Sequence, residues 1–455
     1  MKKSQLSNTN LKKVHFISLG CARNLVDTET MINKLIQDGY EIGPDIESAD
    51  YIVVNTCGFL KESRVEAIEI LEEVFEEKPK EAKVVVAGCM VKLFKDLLEE
   101  RFPNQISYFI GPKDIDNILK TFATNNDNFT KKTSSKPINN TFEGLEEAPK
   151  VLATPSHYAY LKIAEGCQKA CSFCLIPKIK GKLVSKQEEE ILKEFDKLLS
   201  QGVLEIILIA QDLGDYGKDR YEKNALAALL KKMLKRSKKF WIRLLYLYPD
   251  EITEELIDIM KSDKRIAPYV DMPIQHIDDD VLKLMNRNIS SDQIIATIQK
   301  LRKNIPNIYI RTSLMVGFPQ ETDKQFEKLC SFVKDAKLDH VGIFKYSREE
   351  MTKAYDLVQV DEKTKEQRFD KLAKIQYKNV LEKNKSLVGK TFDVIIDGYH
   401  VESDLLMTAR HIGLCPGVDS NIIINDIEKV KSIGKIQKVK ITDVASYDLI
   451  GEIID

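Results

Sequence analysis

The chain reads as an α/β protein in three folded parts: an N-terminal parallel α/β sheet, a central partial (β/α)6 barrel and a small OB-like C-terminal β-barrel. Three observations predict this. Short apolar runs alternate with amphipathic helical stretches over residues 14–120, the pattern of a parallel α/β sheet. The alternation returns with a longer period over 151–385, and its six strand–helix units fit a partial barrel better than another open sheet. Over 386–455 the helical period disappears, and β-branched residues alternate with polar ones between Gly, Asn and Asp breaks. Residues 121–150 are polar, poor in large aliphatics, and read as a linker.

In the first part, VHFISLG, YIVVNT and KVVVAG are strands, each followed by a helical stretch. Each strand leads into a cysteine: Cys21, Cys57 and Cys89. Ligands bind at the C-terminal strand edge of open α/β sheets. Three thiolates can therefore converge although they are far apart in sequence. The alternative is three small apolar side chains packed at strand ends.

In the central part the strands are YAYLKIA, LEIILIA, FWIRLLYL, YVDMPI, IYIRTSLMV and HVGIFKYS. The first runs into EGCQKACSFC, which holds Cys167, Cys171 and Cys174. Iron–sulfur cubes usually take four thiolates, so three leave one iron open for chemistry. Structural zinc is closed by four ligands, and the next histidine is as far away as His276. A chance grouping of core cysteines is the remaining alternative. Cys330 and Cys415 are ungrouped and read as structural.

Polar groups at other strand ends, Gln211 with Asp212, Gln275 with His276, and VGFPQET with Gly317, suit the orientation of a nucleotide cofactor. They are also what ordinary loops contain. Arg311 lies inside an apolar strand and needs an anion, either a substrate or cofactor carboxylate or an internal ion-pair partner.

Composition sets bounds. With 455 residues, 31% charged, and a formal net charge of −1, the chain shows no global basic field. No apolar run approaches the ~18 residues of a membrane span, and MKKSQLSNTNLKKV lacks the apolar core of a secretory signal. Eight cysteines without an export signal point to a reducing cytoplasm and metal ligation rather than disulfides.

SLGCARNLVDTE, VVNTCGF, VAGCM, EGCQKACSFCLIPKIKGKLVSK and RTSLMVGFPQET, taken in order, resemble the motifs of the methylthiotransferases. That family joins an N-terminal cluster domain, a radical S-adenosylmethionine (SAM) domain and a TRAM domain. The resemblance implies two 4Fe-4S clusters and SAM as cofactors. Cys21, Cys57 and Cys89 would hold an auxiliary cluster, and Cys167, Cys171 and Cys174 the cluster that chelates SAM. Phe173, Gln211, Gln275, Arg311 and Gly317 would lie around SAM. It further implies that one SAM methylates a sulfur at the auxiliary cluster, while cleavage of another yields the radical that abstracts the substrate hydrogen.

LGCARNLVDTE, NTCGFLKESRVEAIEIL and LYLYPDEI look like the branch that modifies an aspartate on protein twelve of the small ribosomal subunit. An adenosine of transfer RNA is the alternative acceptor. From Ser386 to Asp455 there are seven Lys/Arg against eleven Asp/Glu, and this acidic balance suits a basic ribosomal protein better than RNA. An electron donor of flavodoxin or ferredoxin type is expected, with a cytoplasmic location, no membrane and no stable nucleic-acid partner, and nothing in the sequence demands more than a monomer. Lysine stands at 180 and 186 where the family motif carries arginine, which keeps charge but loses bidentate geometry.

Overall fold

Five parallel strands make the N-terminal sheet: β1 (Lys13–Ser18), β2 (Glu41–Ile42), β3 (Tyr51–Thr56), β4 (Lys83–Gly88) and β5 (Ile106–Ile110). Their order is β2-β1-β3-β4-β5. The helices are α1 (Ala22–Gln37), α2 (Lys61–Glu77), α3 (Cys89–Arg101) and α4 (Ile118–Ala123). Strand β3 is buried along its whole length, because successive side chains enter opposite cores. Ile52 and Val54 pack with Ala67, Leu71 and Leu98, whereas Tyr51 and Val53 pack with Met31, Leu35 and Ile118. The strand order reverses direction between β1 and β3, and the crevice at such a reversal is where open α/β sheets place ligands.

This computed structural model describes residues 11–123 and 150–454. It forms two compact units, Met1–Ala153 with Lys178–Gly181, and Thr154–Pro177 with Lys182–Asp455. The linker expectation falls almost wholly on 124–149, outside the described residues.

The second unit begins with β6 (Tyr158–Lys162), a two-stranded ribbon of β7 (Ala164–Glu165) and β8 (Val184–Ser185), and β9 (Glu205–Ile209). It continues through β10 (Trp241–Leu244), β11 (Ile266–Asp271), β12 (Tyr309–Val316) and β13 (His340–Lys345). The six long strands are parallel and ordered β13-β12-β11-β10-β9-β6. Neighbours in space are thus neighbours in sequence, so every crossover steps the same way, the arrangement of a partial barrel. Helices α5 (Ile176–Ile179), α6 (Glu188–Ser200), α7 (Ala225–Met233), α8 (Glu254–Ser262), α9 (Asp279–Leu284), α10 (Ser291–Asn304) and α11 (Asp323–Ala336) lie between the strands. Capping boxes at Ser290/Gln293 and Thr322/Gln325 start α10 and α11.

After α12 (Glu362–Lys385) come β14 (Thr391–His400), β15 (Ser403–His411), β16 (Ile422–Ile424), β17 (Ile436–Ala445) and β18 (Asp448–Ile453). They close into a barrel, with β16 and β18 parallel and the other pairs antiparallel. Val394, Ile396, Met407, Ala409, Val439 and Ile441 fill it in period-two register. An ionic network centred on fully buried Glu205, Arg243 and Arg410 joins this barrel to the six-stranded sheet. Glu205 accepts from Arg243 Nε at 2.6 Å and from Arg410 Nη1 at 2.8 Å, and Arg410 also forks onto Asp397. No helix among the described residues is long and apolar enough to cross a membrane.

Candidate functional site

Cys21 precedes α1, Cys57 follows β3, and Cys89 opens α3, so all three stand at the C-terminal edge of the first sheet. Cys57 packs against the first loop: a Cβ at Gly20 would lie 2.6 Å from the Cys57 Cβ. Asn24 joins all three loops. Its Nδ2 donates to Leu19 O at 2.8 Å and Thr56 O at 3.1 Å, while the Cys89 thiol donates to its Oδ1 at 3.8 Å. Sequence reasoning missed Asn24; its place three residues after Cys21, on the same face of the first helical turn, was the available signal.

Burial raises the Cys89 thiol to about 12 and also raises Cys57. Burial pushes Cys21 upward too, but Arg23, nearby backbone N–H groups and Lys180 outweigh it and bring Cys21 below its ordinary value. Lys180 forms a buried pair with Asp27 at 2.9 Å, and its charge opposes the upward shift of Cys89. The lysine that departs from the family motif therefore faces the first thiolate triad. Lys186 pairs instead with Glu194 at 2.5 Å.

Gly88 sets the third loop. Its φ is +95°, and a Cβ there would stand 2.5 Å from Thr56 O. Gly88→Ala is expected to destabilise the first unit by at least about 1–3 kcal/mol from backbone strain alone. Thermal unfolding midpoint and iron content after anaerobic reconstitution should fall together.

In the second unit Cys167, Cys171 and Cys174 lie just after β7, and each sulfur has an N–H donor. Lys169 N reaches Cys167 Sγ at 3.3 Å, Ile176 N reaches Cys174 Sγ at 3.4 Å, and Arg287 Nη1 reaches Cys171 Sγ at 3.9 Å. The loop is fixed from outside by Asn286 Nδ2 to Ala170 O and Ser172 N to Met285 O. Burial raises the Cys167 thiol to about 11, against the Lys169 N–H. Phe173 packs edge-on against Phe318, with ring centroids 6.4 Å apart.

Lys169 Nζ sits 2.7 Å from Glu251 and 3.5–3.6 Å from Asp215 and Asp212. Burial, then Asp215, pushes Asp212 up to about 7. Among the described residues, these three carboxylates are the group whose ligand atoms all lie within 4.8 Å of one another. Lys169 and Lys218 answer their charge. Neither cysteine triad closes that tightly, whereas thiolates on one zinc ion stand about 3.8 Å apart at Zn–S of about 2.3 Å. The triads' wider spacing suits a cluster.

Gln211 follows β9, donates through Nε2 to Glu165, and leaves a buried Oε1 without a partner. Gln275 has φ +70° and bridges to β12 through its backbone, its N–H donating to Ser313 O at 2.8 Å. Gly317 donates its N–H to Glu321, and Lys365 of α12 occupies the space a Cβ would need. Gln211, Gln275 and Gly317 stand at strand ends. Arg311 does not join them, which corrects the expectation of a cofactor-facing guanidinium. It lies six residues before Gly317, about 20 Å along an extended strand. There it pairs with Asp271 at 2.9 Å and with Asp419 of the C-terminal barrel at 3.5 Å. This half-buried guanidinium already has two carboxylates to answer its charge.

Residues 161–333 match the Radical SAM superfamily, 13–111 the Uncharacterized protein family UPF0004, and 388–454 the TRAM domain. The fold resembles the radical S-adenosylmethionine methyltransferase TsrM from Kitasatospora setae, with TM-score 0.56 at 13% identity over 93% of this chain and 84% of that one. Partial barrel, cysteine loop and superfamily match together define a radical SAM protein. The chain is 53% identical over 445 residues to ribosomal protein uS12 methylthiotransferase RimO of Protochlamydia amoebophila, covering 97% of this chain and 92% of the relative. It is 48% identical to the same enzyme of Chlamydia felis, covering 97% and 95%, and 43% identical to that of Bdellovibrio bacteriovorus, covering 97% and 98%. The chain belongs to the ribosomal protein uS12 methylthiotransferase RimO family.

Proposed function

We propose that this chain is the radical SAM methylthiotransferase that adds a methylthio group to the β-carbon of an aspartate on ribosomal protein uS12. The observation that carries the reading is the pair of three-thiolate sites, one on each parallel sheet, in a chain whose relatives carry that name over nearly full length. When bound, two 4Fe-4S clusters and SAM supply the hydrogen-abstracting radical and the methylated sulfur.

The chain's own residues do the rest. Asn24 holds the three loops of the first triad in register, and Lys180 supplies positive charge beside it. The second triad is held by backbone N–H groups and by Arg287. Gln211 offers its unpartnered buried oxygen, and Phe173, Gln275 and Gly317 complete the proposed SAM surroundings. The acidic C-terminal barrel favours a basic protein acceptor. We further assign a flavodoxin- or ferredoxin-type electron donor, a cytoplasmic location and a monomer without a stable nucleic-acid partner.

The test is anaerobic turnover with reductant and SAM, offering purified uS12 and bulk transfer RNA in parallel. Mass spectrometry should find one methylthio group on uS12 and none on RNA. Gain on RNA alone would overturn the acceptor, and 5′-deoxyadenosine with gain on neither would overturn both acceptors while keeping the radical chemistry.

A further inference from the structure

Arg287 is buried, at 6% exposure, in the turn after α9. Buried guanidinium groups need an anion, and the other well-buried arginines have carboxylates. Arg243 has Glu205, Arg410 has Glu205 and Asp397, and Arg368 has Glu321 and Asp323. Arg287 is built differently. Its Nη2 donates to Pro273 O at 2.6 Å, its face lies over the Tyr248 ring at 4.0 Å, and its Nε is buried without a partner. The sulfur within its reach is that of Cys171, 3.9 Å from Nη1.

Lys169 lies over the same Tyr248 ring at 4.5 Å but gives its charge to Glu251, Asp212 and Asp215. Arg287 brings a charged N–H donor to Cys171, whereas Lys169 and Ile176 meet Cys167 and Cys174 through backbone amides.

We propose that Arg287 is a positioning residue of the second cysteine site, holding Cys171 and setting the reduction potential of the cluster bound there. Hydrogen bonds and positive charge at a cluster sulfur stabilise the reduced form, which carries one more negative charge. Tyr248 and Pro273 O fix the guanidinium so that Nη1 keeps facing Cys171 as the charge changes. One electron enters from an external low-potential donor, and Arg287 neither gains nor loses a proton in that step.

The inference rests on the cluster assignment of the Cys167 loop, and the test separates the two. In full-length chain carrying Cys21→Ala, Cys57→Ala and Cys89→Ala, the remaining cluster is titrated anaerobically with dithionite and followed by electron paramagnetic resonance. Arg287→Gln should lower the reduced-to-oxidised ratio at a fixed applied potential by at least about tenfold, about 59 mV for one electron. Arg287→Lys, which keeps the charge but cannot fork between Pro273 and Cys171, should titrate between Gln and the unsubstituted residue. An unchanged potential in either variant at equal iron content would overturn the proposal; if the Gln variant fails to assemble, the Lys variant decides. Absence of any cluster signal with Arg287 in place would overturn the cluster assignment itself.

Discussion

Replacing Cys89 by alanine is expected to remove about half of the bound iron and to abolish methylthio transfer while 5′-deoxyadenosine formation continues. Cys89 is the buried member of the first triad, and Asn24 ties it to the loops of Cys21 and Cys57. On the proposed assignment the first triad holds its cube with three protein ligands, and two remaining thiolates would give too few bonds to keep it. The second triad has its own donors from Lys169, Ile176 and Arg287, so SAM cleavage should survive. Iron and sulfide analysis with chromatography of the nucleoside product checks both halves. Retained methylthio transfer in Cys89→Ala would remove the first triad from the reaction.

Glu205→Gln is expected to cost about 3–5 kcal/mol, the usual effect of removing one partner from a buried ion pair. Two fully buried guanidiniums, Arg243 and Arg410, share that carboxylate. Asp397 would remain for Arg410, with His157 2.8 Å from the same carboxylate, but Arg243 would face a neutral amide and the Ile412 carbonyl, with no carboxylate among these partners. Because the network binds the C-terminal barrel to the six-stranded sheet, the unfolding midpoint should fall. The pH dependence has a definite sign. Burial pushes the Glu205 carboxyl upward, but Arg243 and then Arg410 outweigh it and hold it below its ordinary value. Its stabilisation is then full above the unfolded carboxyl value of about 4.3 and is lost as pH falls through the lower folded value. The difference between the two proteins should stay constant near neutrality and shrink only in acid, as anaerobic calorimetry would show.

The strand ends were the legible part of this protein. VHFISLG overlaps the first strand of the first sheet, YIVVNT and KVVVAG coincide with two others, and the six central runs contain or overlap the six long parallel strands. Continuous apolar runs mark strands buried on both faces, which is why they stand out. The 24-residue helix α12 did not, because Lys365, Arg368, Gln376 and Asn384 make up most of its buried face and no apolar stripe shows in EKTKEQRFDKLAKIQYKNVLEKNK. Strand β2, two residues long, is too short for any period.

Among candidate site residues, the six cysteines stood out by spacing or by strand position. Arg287 and Cys171 are 116 residues apart and meet only through the turn after α9, which no local pattern encodes. Arg311 shows the opposite failure. A charged residue in an apolar strand was a sound signal of an anionic partner, but Asp419 comes from the last domain, and sequence order gave no reason to choose it over a ligand.

On the proposed function, two thiolate triads on two sheets serve one transfer to a protein aspartate. Its most direct test is tandem mass spectrometry of uS12 after anaerobic turnover with SAM carrying a deuterated methyl group. One aspartate should bear sulfur and the labelled methyl together, and no such residue should form when the Cys89→Ala chain is used. Labelled methyl without sulfur, or the same product from the Cys89→Ala chain, would contradict it.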